Sequence, residues 1–329
     1  MRVLLLSNQP ERTTRLGMFS GTLRGLGYEV IVPSFSTRSW TGVAKEAKAA
    51  IKREKPDVVH LFNVPDIIYH GLGGLKGSSF GKLIYDYRSP WGVELQMSFG
   101  PAARPVAERF ERELAREADI ITAVNRPLAD KVKSYKGVEK KPLFIVPNYP
   151  ARSFVQAGEG ADESVPDEEA MIFMGRISRQ EGIGNLMRLI RGMPQEKFWI
   201  IGDGPFSWWY LRNLPGNVRF FGWQPHDRVS ALIRKARLCL IPHGETLLTP
   251  YATDRSVWKL NEYLSLGKIV VASGVTMEER RKNLVVVKSA ELKNAVTQNL
   301  KRQPEMLREE DYRFWDRNDK TIKEIYESL

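Results

Sequence analysis

The stretch VWKLNEYLSLGKIVVASGV, residues 257–275, decides the fold class of the chain. Its first part has apolar residues at helical spacing up to Leu264, and Gly267 suits the position just after a helix. The run IVVAS that follows is typical of a buried parallel strand. Ser256, directly before the stretch, is a candidate N-cap because its hydroxyl can accept from backbone N–H groups one turn on. The stretch therefore predicts a helix followed by a strand.

Short apolar runs and longer amphipathic segments alternate along the rest of the chain. They predict strands at 3–7, 28–34, 57–62, 82–88, 119–124, 142–148, 170–176, 197–205, 218–223, 237–244 and 283–289, and helices near 15–26, 41–54, 104–118, 183–192, 207–213 and 226–235. Strands separated by helices form right-handed parallel βαβ units. We therefore expect an α/β protein of two Rossmann-like, doubly wound domains that face a cleft, with ligands beyond the carboxyl ends of the strands.

The acidic stretch AGEGADESVPDEEA separates the two halves and has almost no large apolar residues, which indicates a linker. We place a first domain at 1–156, the linker at 157–170, a second domain at 171–305 and a C-terminal segment at 306–329. That segment predicts an amphipathic helix that packs on a domain surface and could cross back to the first domain. The prediction rests on four apolar residues near helical spacing: Phe314, Ile322, Ile325 and Tyr326.

Composition narrows the class of protein. The 329 residues fit two domains of about 150, and no apolar run reaches the roughly 18 residues that a membrane-spanning helix needs. The five-residue apolar run at the start is too short for the core of a signal peptide. Cys239 is the single cysteine, which excludes a disulfide within the chain, and its apolar neighbours place it in a core. These features favour a cytoplasmic protein.

The charge is uneven. Residues 1–150 hold 23 Lys/Arg and 15 Asp/Glu, a balance of +8, and the remainder holds 27 and 24, a balance of +3. A basic first half could meet phosphates, an anionic membrane surface or nucleic acid. It is equally consistent with a solvated surface rich in ion pairs.

Two carboxylates flank the start of the helix predicted from the opening stretch. Asp254 and Glu262 are eight positions apart, close to two helical turns of about 7.2 residues. A phosphate could bind the amides of Ser256, Val257 and Trp258, since a helix N-terminus offers free N–H groups to an anion, with the carboxylates left for sugar hydroxyls. Alternatively, this is a capped surface helix with solvated charges.

The pattern acidic-x7-Glu followed by Tyr-Leu-x-x-Gly-Lys-x-Val-Val-Ala-Ser resembles the donor-site motif of family 4 retaining glycosyltransferases, which have the GT-B fold. Further landmarks follow in that family's order over nearly the whole chain: DVVHLFN (57–63), YDYRSPW (85–91), VPN (146–148), MGRISRQEGI (174–183), IIGDGP (200–205) and FFGW (220–223). The resemblance implies transfer of a hexose from a nucleoside-diphosphate sugar to a glycan or lipid-linked hydroxyl. It implies no metal cofactor.

The resemblance also implies residue roles. Glu262 would bind the ribose hydroxyls, and Asp254 would contact the donor sugar. The amides at 256–258 would hold the diphosphate, and Arg176 would neutralise it as it leaves. Gly175, Gly202 and Gly204 belong to the nucleotide-binding landmarks. His243, which follows a strand, has two interpretations: a donor ligand or an ordinary strand-end residue.

The chain departs from the family at Glu181, where a Lys is usual. A carboxylate there would repel diphosphate, and Lys259 is the candidate to supply the missing charge as a third catalytic residue beside Arg176 and Asp254. On the acceptor side the resemblance points to Gly17 in the loop 8–18, and to Asp86 and Arg88. His60, inside an apolar strand, is expected to be a hydrogen-bonded core residue.

Three rival functions remain open. One is a sugar-nucleotide epimerase of GT-B fold, and another is a non-catalytic sugar-nucleotide-binding or partner subunit, which Glu181 makes conceivable. The third, a nucleic-acid binder, is disfavoured. Neither metal-ligand spacing nor a P-loop is present in the sequence. A lipid-linked acceptor would place the protein at the inner face of the membrane.

Overall fold

A computed structural model describes residues 1–157, 165–205 and 207–329. The strands are β1 (Arg2–Leu6), β2 (Glu29–Ile31), β3 (Val58–Phe62), β4 (Lys82–Tyr87), β5 (Ile120–Ala123), β6 (Leu143–Ile145), β7 (Met171–Met174), β8 (Phe198–Ile201), β9 (Val218–Gly222), β10 (Leu238–Pro242), β11 (Val270–Ser273) and β12 (Leu284–Val287). The helices are α1 (Thr14–Gly25), α2 (Trp40–Glu54), α3 (Trp91–Phe99), α4 (Ala103–Glu117), α5 (Arg126–Lys133), α6 (Arg152–Gln156), α7 (Ile183–Arg191), α8 (Ser207–Leu211), α9 (His226–Lys235), α10 (Trp258–Ser265), α11 (Leu292–Asn299) and α12 (Asp319–Glu327).

The chain forms two compact units. Unit 1 comprises Met1–Asn148 and Asp316–Leu329, and unit 2 comprises Tyr149–Trp315. Each contains a six-stranded sheet, in the order β2-β1-β3-β4-β5-β6 in unit 1 and β12-β11-β10-β7-β8-β9 in unit 2. Every strand pair is parallel. The prediction of two Rossmann-like, doubly wound α/β domains is confirmed.

The sheet of unit 2 is buried on both faces, because successive side chains of a strand point to opposite sides. In β7, Met171 and Phe173 belong to one apolar core, while Ile172 between them belongs to the other. In β8, Phe198 and Trp199 divide in the same way. Helices on both faces are needed to cover two such cores, which is why the strands appear in the sequence as short continuous apolar runs.

The opening stretch forms α10 followed by β11, as expected. Gly267 takes a positive φ of 72° directly after the helix, the backbone region that glycine enters without strain. The N-cap prediction was wrong. Val257 occupies the N-cap position without a side-chain capping bond, and the Ser256 hydroxyl instead accepts from the amide of Thr253 at 2.8 Å.

The C-terminal segment departs from its prediction at one end. Helix α12 contains Ile322, Ile325 and Tyr326 on its buried face and packs in unit 1 against α1. Phe314 lies before the helix, in unit 2, where its ring stacks on that of Tyr312 and lies under the guanidinium of Arg152. Of the predicted linker, residues 158–164 lie outside the described residues.

Core predictions for two polar side chains are confirmed. His60 in β3 is fully buried, and its Nδ1 lies 2.7 Å from the hydroxyl of Tyr326. Burial lowers the pKa of His60 to about 3, so the ring is neutral at physiological pH. Cys239 is likewise buried as a free thiol. No helix in the described ranges is both long and apolar enough to cross a membrane.

Candidate active site

The strand order of unit 2 reverses between β10 and β7, which both start from the middle of the sheet. Ligands of doubly wound sheets bind beyond the carboxyl ends of the strands at such a point. Gly175 and Arg176 follow β7, Gly202 follows β8, and His243 follows β10. Four residues predicted from separate parts of the sequence therefore reach one edge of the sheet.

Close backbone contact shapes this edge. Gly202 has a φ of 130°, and a Cβ added there would lie 1.9 Å from the carbonyl oxygen of Gly175. A Cβ at Gly204 would lie 2.3 Å from the carbonyl oxygen of Ile177. The loops after β7 and β8 can therefore lie against each other only because both positions are glycine. Their contact fixes the direction in which the loop bearing Arg176 leaves the sheet.

A cavity of about 320 Å³ opens at this edge. Its wall combines the glycine loops with apolar, aromatic and polar side chains: Phe154, Met174, Gly175, Arg176, Ile201, Gly202, Asp203, Trp223, Gln224, His226, Val229 and Glu262. Glu262 comes from α10, so the helix and the two glycine loops meet at one space. Arg176 is exposed and has no ion pair within the described part of the chain, which leaves its charge available to a ligand.

The environment of Glu262 is unusual for a carboxyl. Burial raises its pKa to about 7, and the nearby charge of Lys259 offsets part of that rise. The desolvated carboxyl holds a proton more readily than an exposed one because burial penalises the charged form. Near neutral pH this group can either donate or accept a hydrogen bond in the cavity.

An ion cluster lies next to the cavity. The ammonium of Lys259 bonds the Glu181 carboxylate, and His243 Nε2 lies 3.3 Å from the same oxygen. The Lys259 ammonium also lies 5.0 Å from the centre of the Phe173 ring. Gly182 allows the approach of the loop to β10, since a Cβ there would lie 1.9 Å from the carbonyl oxygen of Pro242.

Charges within the cluster are balanced. Burial opposes ionisation of Glu181, but the charge of Lys259 and the hydrogen bond from His243 outweigh it and hold the pKa of Glu181 well below its usual range. Burial, together with the charge of Lys259, lowers the pKa of His243 despite its bond to Glu181. The result is an ammonium, a carboxylate and a neutral imidazole, with a net charge near zero.

The cluster borders the cavity at Gly175. A Cβ added to Gly175 would lie 3.1 Å from the Lys259 ammonium and 3.3 Å from the Glu181 carboxylate. The structure thus brings together Gly175, Arg176, Lys259 and Glu262 of the predicted donor residues. Gly202 lines the same cavity, Gly204 lies two residues further along that loop, and His243 joins through Glu181.

Asp254 lies elsewhere. Its side chain is fully buried, its Oδ1 accepts from the amide of Glu278 at 2.7 Å, and its Oδ2 is 3.8 Å from Arg281 Nη1. It does not line the cavity that contains Glu262. A contact with the donor sugar therefore stays a prediction for Asp254, one that requires the loop around Glu278 to move.

Two of the three amides predicted to hold phosphate are engaged. The N–H groups of Ser256 and Val257 both donate to the carbonyl of Thr253, at 3.0 and 3.2 Å. Trp258 begins α10. A phosphate could reach the first two amides only if the turn before α10 opened, so their role also remains a prediction.

The acceptor-side residues lie in unit 1. Gly17 falls within α1, which begins at Thr14, so the last residues of the stretch 8–18 belong to the helix predicted near 15–26 and not to the loop. Asp86 is fully buried and accepts two bonds from Arg15, both at 2.8 Å. The Arg88 guanidinium donates to the carbonyl of Asn63, and the Arg88 amide donates to Asn63 Oδ1 at 2.9 Å.

These contacts indicate a structural role for Asp86 in unit 1. A buried, bidentate Arg–carboxylate pair is a structural feature that fixes α1 against the end of β4. Asp86 also accepts from the Thr122 hydroxyl at 2.6 Å. Asp86 is therefore suited to positioning its neighbours, while an acceptor role for Arg88 and Gly17 stays a prediction.

Sequence reasoning missed part of the cavity wall. Trp223, Gln224 and His226 follow β9, and the FFGW landmark was a signal for the first of them. Phe154 comes from α6, which is too short to show a helical pattern in the sequence. Among the described residues, no group of three or more His, Cys, Asp or Glu is arranged to hold a metal ion.

Comparison with known families assigns both halves of the chain to glycosyltransferase domains. Residues 6–149 match the model for Glycosyltransferase Family 4, and residues 168–302 match the model for Glycosyl transferases group 1. No curated protein sequence matches the chain.

Solved structures match over the full length at low sequence identity. Sucrose-phosphate synthase from Thermosynechococcus elongatus has 14% identity and a TM-score of 0.72, covering 100% of this chain and 98% of its own. Anabaena HepE in complex with UDP and glucose has 14% identity and a TM-score of 0.67, covering 100% of both chains. UDP-GlcNAc 2-epimerase from Methanocaldococcus jannaschii has 11% identity and a TM-score of 0.60, covering 100% and 99%.

At identities this low, the structural matches show a shared fold and no more. That fold is common to glycosyltransferases and to an epimerase. The family matches are more specific, since one covers most of unit 1 and the other most of unit 2. The GT-B fold implied by the resemblance is thereby confirmed. Each unit thus matches a glycosyltransferase domain model, and the two models together cover most of the chain.

Proposed function

We propose that the protein is a retaining glycosyltransferase that moves a hexose from a nucleoside-diphosphate sugar to a hydroxyl acceptor. One observation carries the proposal: Glu262 and Arg176 line the same cavity at the switch point of the unit 2 sheet. A carboxyl for ribose hydroxyls and a free guanidinium for diphosphate are the two groups that a nucleotide donor needs.

Different parts of the cavity wall suit different parts of the nucleotide donor. Its apolar and aromatic wall, which includes Trp223 and Met174, suits the flat face of a nucleobase. In this proposal Glu262 binds the ribose hydroxyls, and its ionised form can accept a hydrogen bond from both. Arg176 then lies on the side of the diphosphate, where its planar fork can contact two phosphate oxygens.

The reaction breaks the bond between the anomeric carbon and the diphosphate oxygen. The acceptor oxygen forms the new bond on the same face of the sugar, and its proton passes to the departing diphosphate. Negative charge grows on the diphosphate as the bond breaks, so a fixed cation lowers the barrier. Arg176 is the residue we assign to this task.

Lys259 cannot contribute the full positive charge that an unpaired lysine would bring to the diphosphate. Its charge is already balanced by Glu181, so it adds little net positive potential. It can still donate hydrogen bonds, and its ammonium lies at Gly175 on the edge of the cavity. In this proposal the protein cations suffice and no metal ion takes part.

For the acceptor, we favour a lipid-linked hydroxyl over a soluble glycan. Unit 1 exposes large apolar side chains at α3 and α4: Phe99 is 76% exposed, Val106 60% and Met97 40%. Unit 1 has 26 Lys/Arg and 19 Asp/Glu, a balance of +7. Exposed apolar groups on a basic body suit an anionic lipid surface.

The test is binding and turnover with a panel of UDP-, GDP- and ADP-sugars. A ligand that binds the native state raises its melting temperature by mass action. Glu262→Ala should weaken binding of the active nucleotide. Arg176→Ala should weaken binding of the sugar nucleotide more than binding of the nucleoside without its diphosphate. Arg179→Ala is the matched control, because Arg179 is exposed in the same loop but does not line the cavity.

Products then separate the rival functions. A transferase hydrolyses its donor slowly without acceptor and releases nucleoside diphosphate. An epimerase interconverts the sugar without releasing nucleotide, and a non-catalytic subunit binds without changing it. If no sugar nucleotide stabilised the protein, or if the Glu262 and Arg176 variants bound as tightly as wild type, the proposal would be wrong.

A further inference from the structure

Unit 2 contains a second and larger cavity, of about 540 Å³, that shares no lining residue with the donor cavity. It lies between the C-terminal part of α10, the segment before β12 and residues 302–313. Five cations line it: Arg280, Arg281, Lys282, Arg302 and Arg313. Two carboxylates, Glu305 and Asp311, line it as well.

Three of these cations have close partners. Lys282 pairs with Asp311 at 2.7 Å, and Arg302 pairs with Glu305. Arg313 pairs at 3.3 Å with Glu279. The excess positive charge therefore rests on the two adjacent arginines, 280 and 281.

Arg280 and Arg281 differ in burial, but among the described residues neither has a carboxylate partner at hydrogen-bond distance. Arg280 is exposed and has no ion pair among the described residues. Arg281 is 8% exposed, and its ion pair with the fully buried Asp254 is loose, with 3.8 Å between Nη1 and Oδ2, which is beyond hydrogen-bond distance. A buried cation whose ion pair lacks a hydrogen bond is only partly compensated. A bound anion would supply a closer partner.

We propose that this cavity binds a phosphate-bearing anion through Arg280 and Arg281. Both guanidinium groups line the cavity, and guanidinium matches the geometry of phosphate oxygens better than ammonium does. Leu264, Leu284 and Leu307 also line the cavity, so the ligand carries an apolar part beside its phosphate. This cavity is separate from the one that contains Glu262 and Arg176.

Arg281 links the second cavity to the donor helix. Its Nη1 donates to Asn261 Oδ1 at 3.2 Å, and Asn261 Nδ2 donates to the carbonyls of Asp254 and Val257 at 2.8 and 3.2 Å. These bonds hold the turn that leads into α10, and α10 carries Glu262. A ligand that draws Arg281 towards itself therefore acts on the support of the donor site.

Pyrophosphate titrated by calorimetry tests the site. The titration uses an Arg176→Ala background, which weakens diphosphate binding in the donor cavity and keeps the test independent of the proposed function. In that background we expect pyrophosphate still to bind, and Arg280→Glu to weaken it at least tenfold. Arg191→Glu, an equal charge change at an exposed helix position of the same unit, should leave the affinity within twofold.

The phosphate could come from a free ligand or from a lipid headgroup, and vesicles containing phosphatidate distinguish the two. Pyrophosphate binding that depends on Arg280, without Arg280-dependent binding to vesicles, would assign a soluble ligand. Vesicle binding that Arg280→Glu abolishes and Arg191→Glu preserves would assign a lipid. If Arg280→Glu changed neither measurement, the proposed site would be refuted.

Discussion

The Glu262 carboxyl should make the stability of unit 2 depend on pH, and Glu262→Gln should remove that dependence. Burial raises the pKa of Glu262 from 4.5 to about 7 in the folded protein. Between these two pH values the folded state binds a proton that the unfolded state has lost. Folding stability contributed by this group is therefore present below pH 4.5 and is lost as the pH rises through 7.

The size of the effect follows from the shift. One pKa unit corresponds to about 1.4 kcal/mol, so a rise from 4.5 to about 7 amounts to about 3 kcal/mol. Water entry on ionisation would reduce this value, and about 1 to 3 kcal/mol is the expected range. Relative to wild type, Glu262→Gln should gain that amount in free energy of unfolding between pH 4.5 and 8.

Urea unfolding at pH 4.5, 6, 7 and 8, compared between wild type and variant, measures this difference. Glu309→Gln is the control, because the Glu309 side chain in the same unit is 80% exposed, and its effect on stability should not vary with pH. A difference between Glu262→Gln and wild type that stayed constant from pH 4.5 to 8 would show that Glu262 titrates normally and is not desolvated.

Ligand binding gives the same prediction a second readout. If ribose hydroxyls donate to the ionised carboxylate, nucleotide binding must displace the proton that Glu262 holds below pH 7. Affinity should then fall about tenfold for each pH unit below that value. The Gln variant should bind more weakly at pH 8 and lose this dependence. A wild-type affinity independent of pH would contradict the ribose assignment.

Three further predictions concern charge and surface. Lys259→Ala should weaken diphosphate binding because it leaves Glu181 unpaired, and Glu181→Lys should tighten diphosphate binding. A double-mutant cycle on nucleotide affinity should give a coupling energy of about 1 kcal/mol between the two positions. Additive effects would contradict a phosphate shared by both residues. Transfer activity should survive excess EDTA, and a loss restored by a divalent cation would refute the metal-free assignment. Flotation with anionic liposomes at low salt should fall after Phe99→Ser with Val106→Ser, and absence of wild-type binding would refute the lipid-surface proposal.

Most of the fold was predictable because parallel strands buried on both faces are continuous apolar runs, as β7 and β10 show. Helix α3 was not predicted. Its buried residues, Trp91 to Val93, occupy one end, while Met97 and Phe99 at the other end are exposed. A helix buried at one end has no apolar face of period 3.6, and periodicity is the signal on which prediction depends.

Within the site, spacing located Glu262 but could not determine the surroundings of Asp254. The two carboxylates are eight residues apart, and Asp254 lies before α10, so only Glu262 lines the cavity. The loop that buries Asp254 contains Glu278 and Arg281, and nothing in the spacing of the acidic pair indicates that this loop folds over it. The ion pair between Asp86 and Arg15 could not be predicted either. The two residues are 71 positions apart, and only the tertiary fold brings them into contact.

The departure at Glu181 and the lysine in α10 are best understood together. The resemblance expects a cation at position 181, in the loop after β7, and the chain has a carboxylate there. The structure places the Lys259 ammonium beside Gly175, in contact with that carboxylate, so a cation reaches the loop from the helix instead. The carboxylate then orients the ammonium, which also lies over the face of the Phe173 ring. Because this pair is neutral, the balance of the diphosphate charge falls mainly on Arg176, and the Arg176→Ala variant should lose more donor affinity than Lys259→Ala does.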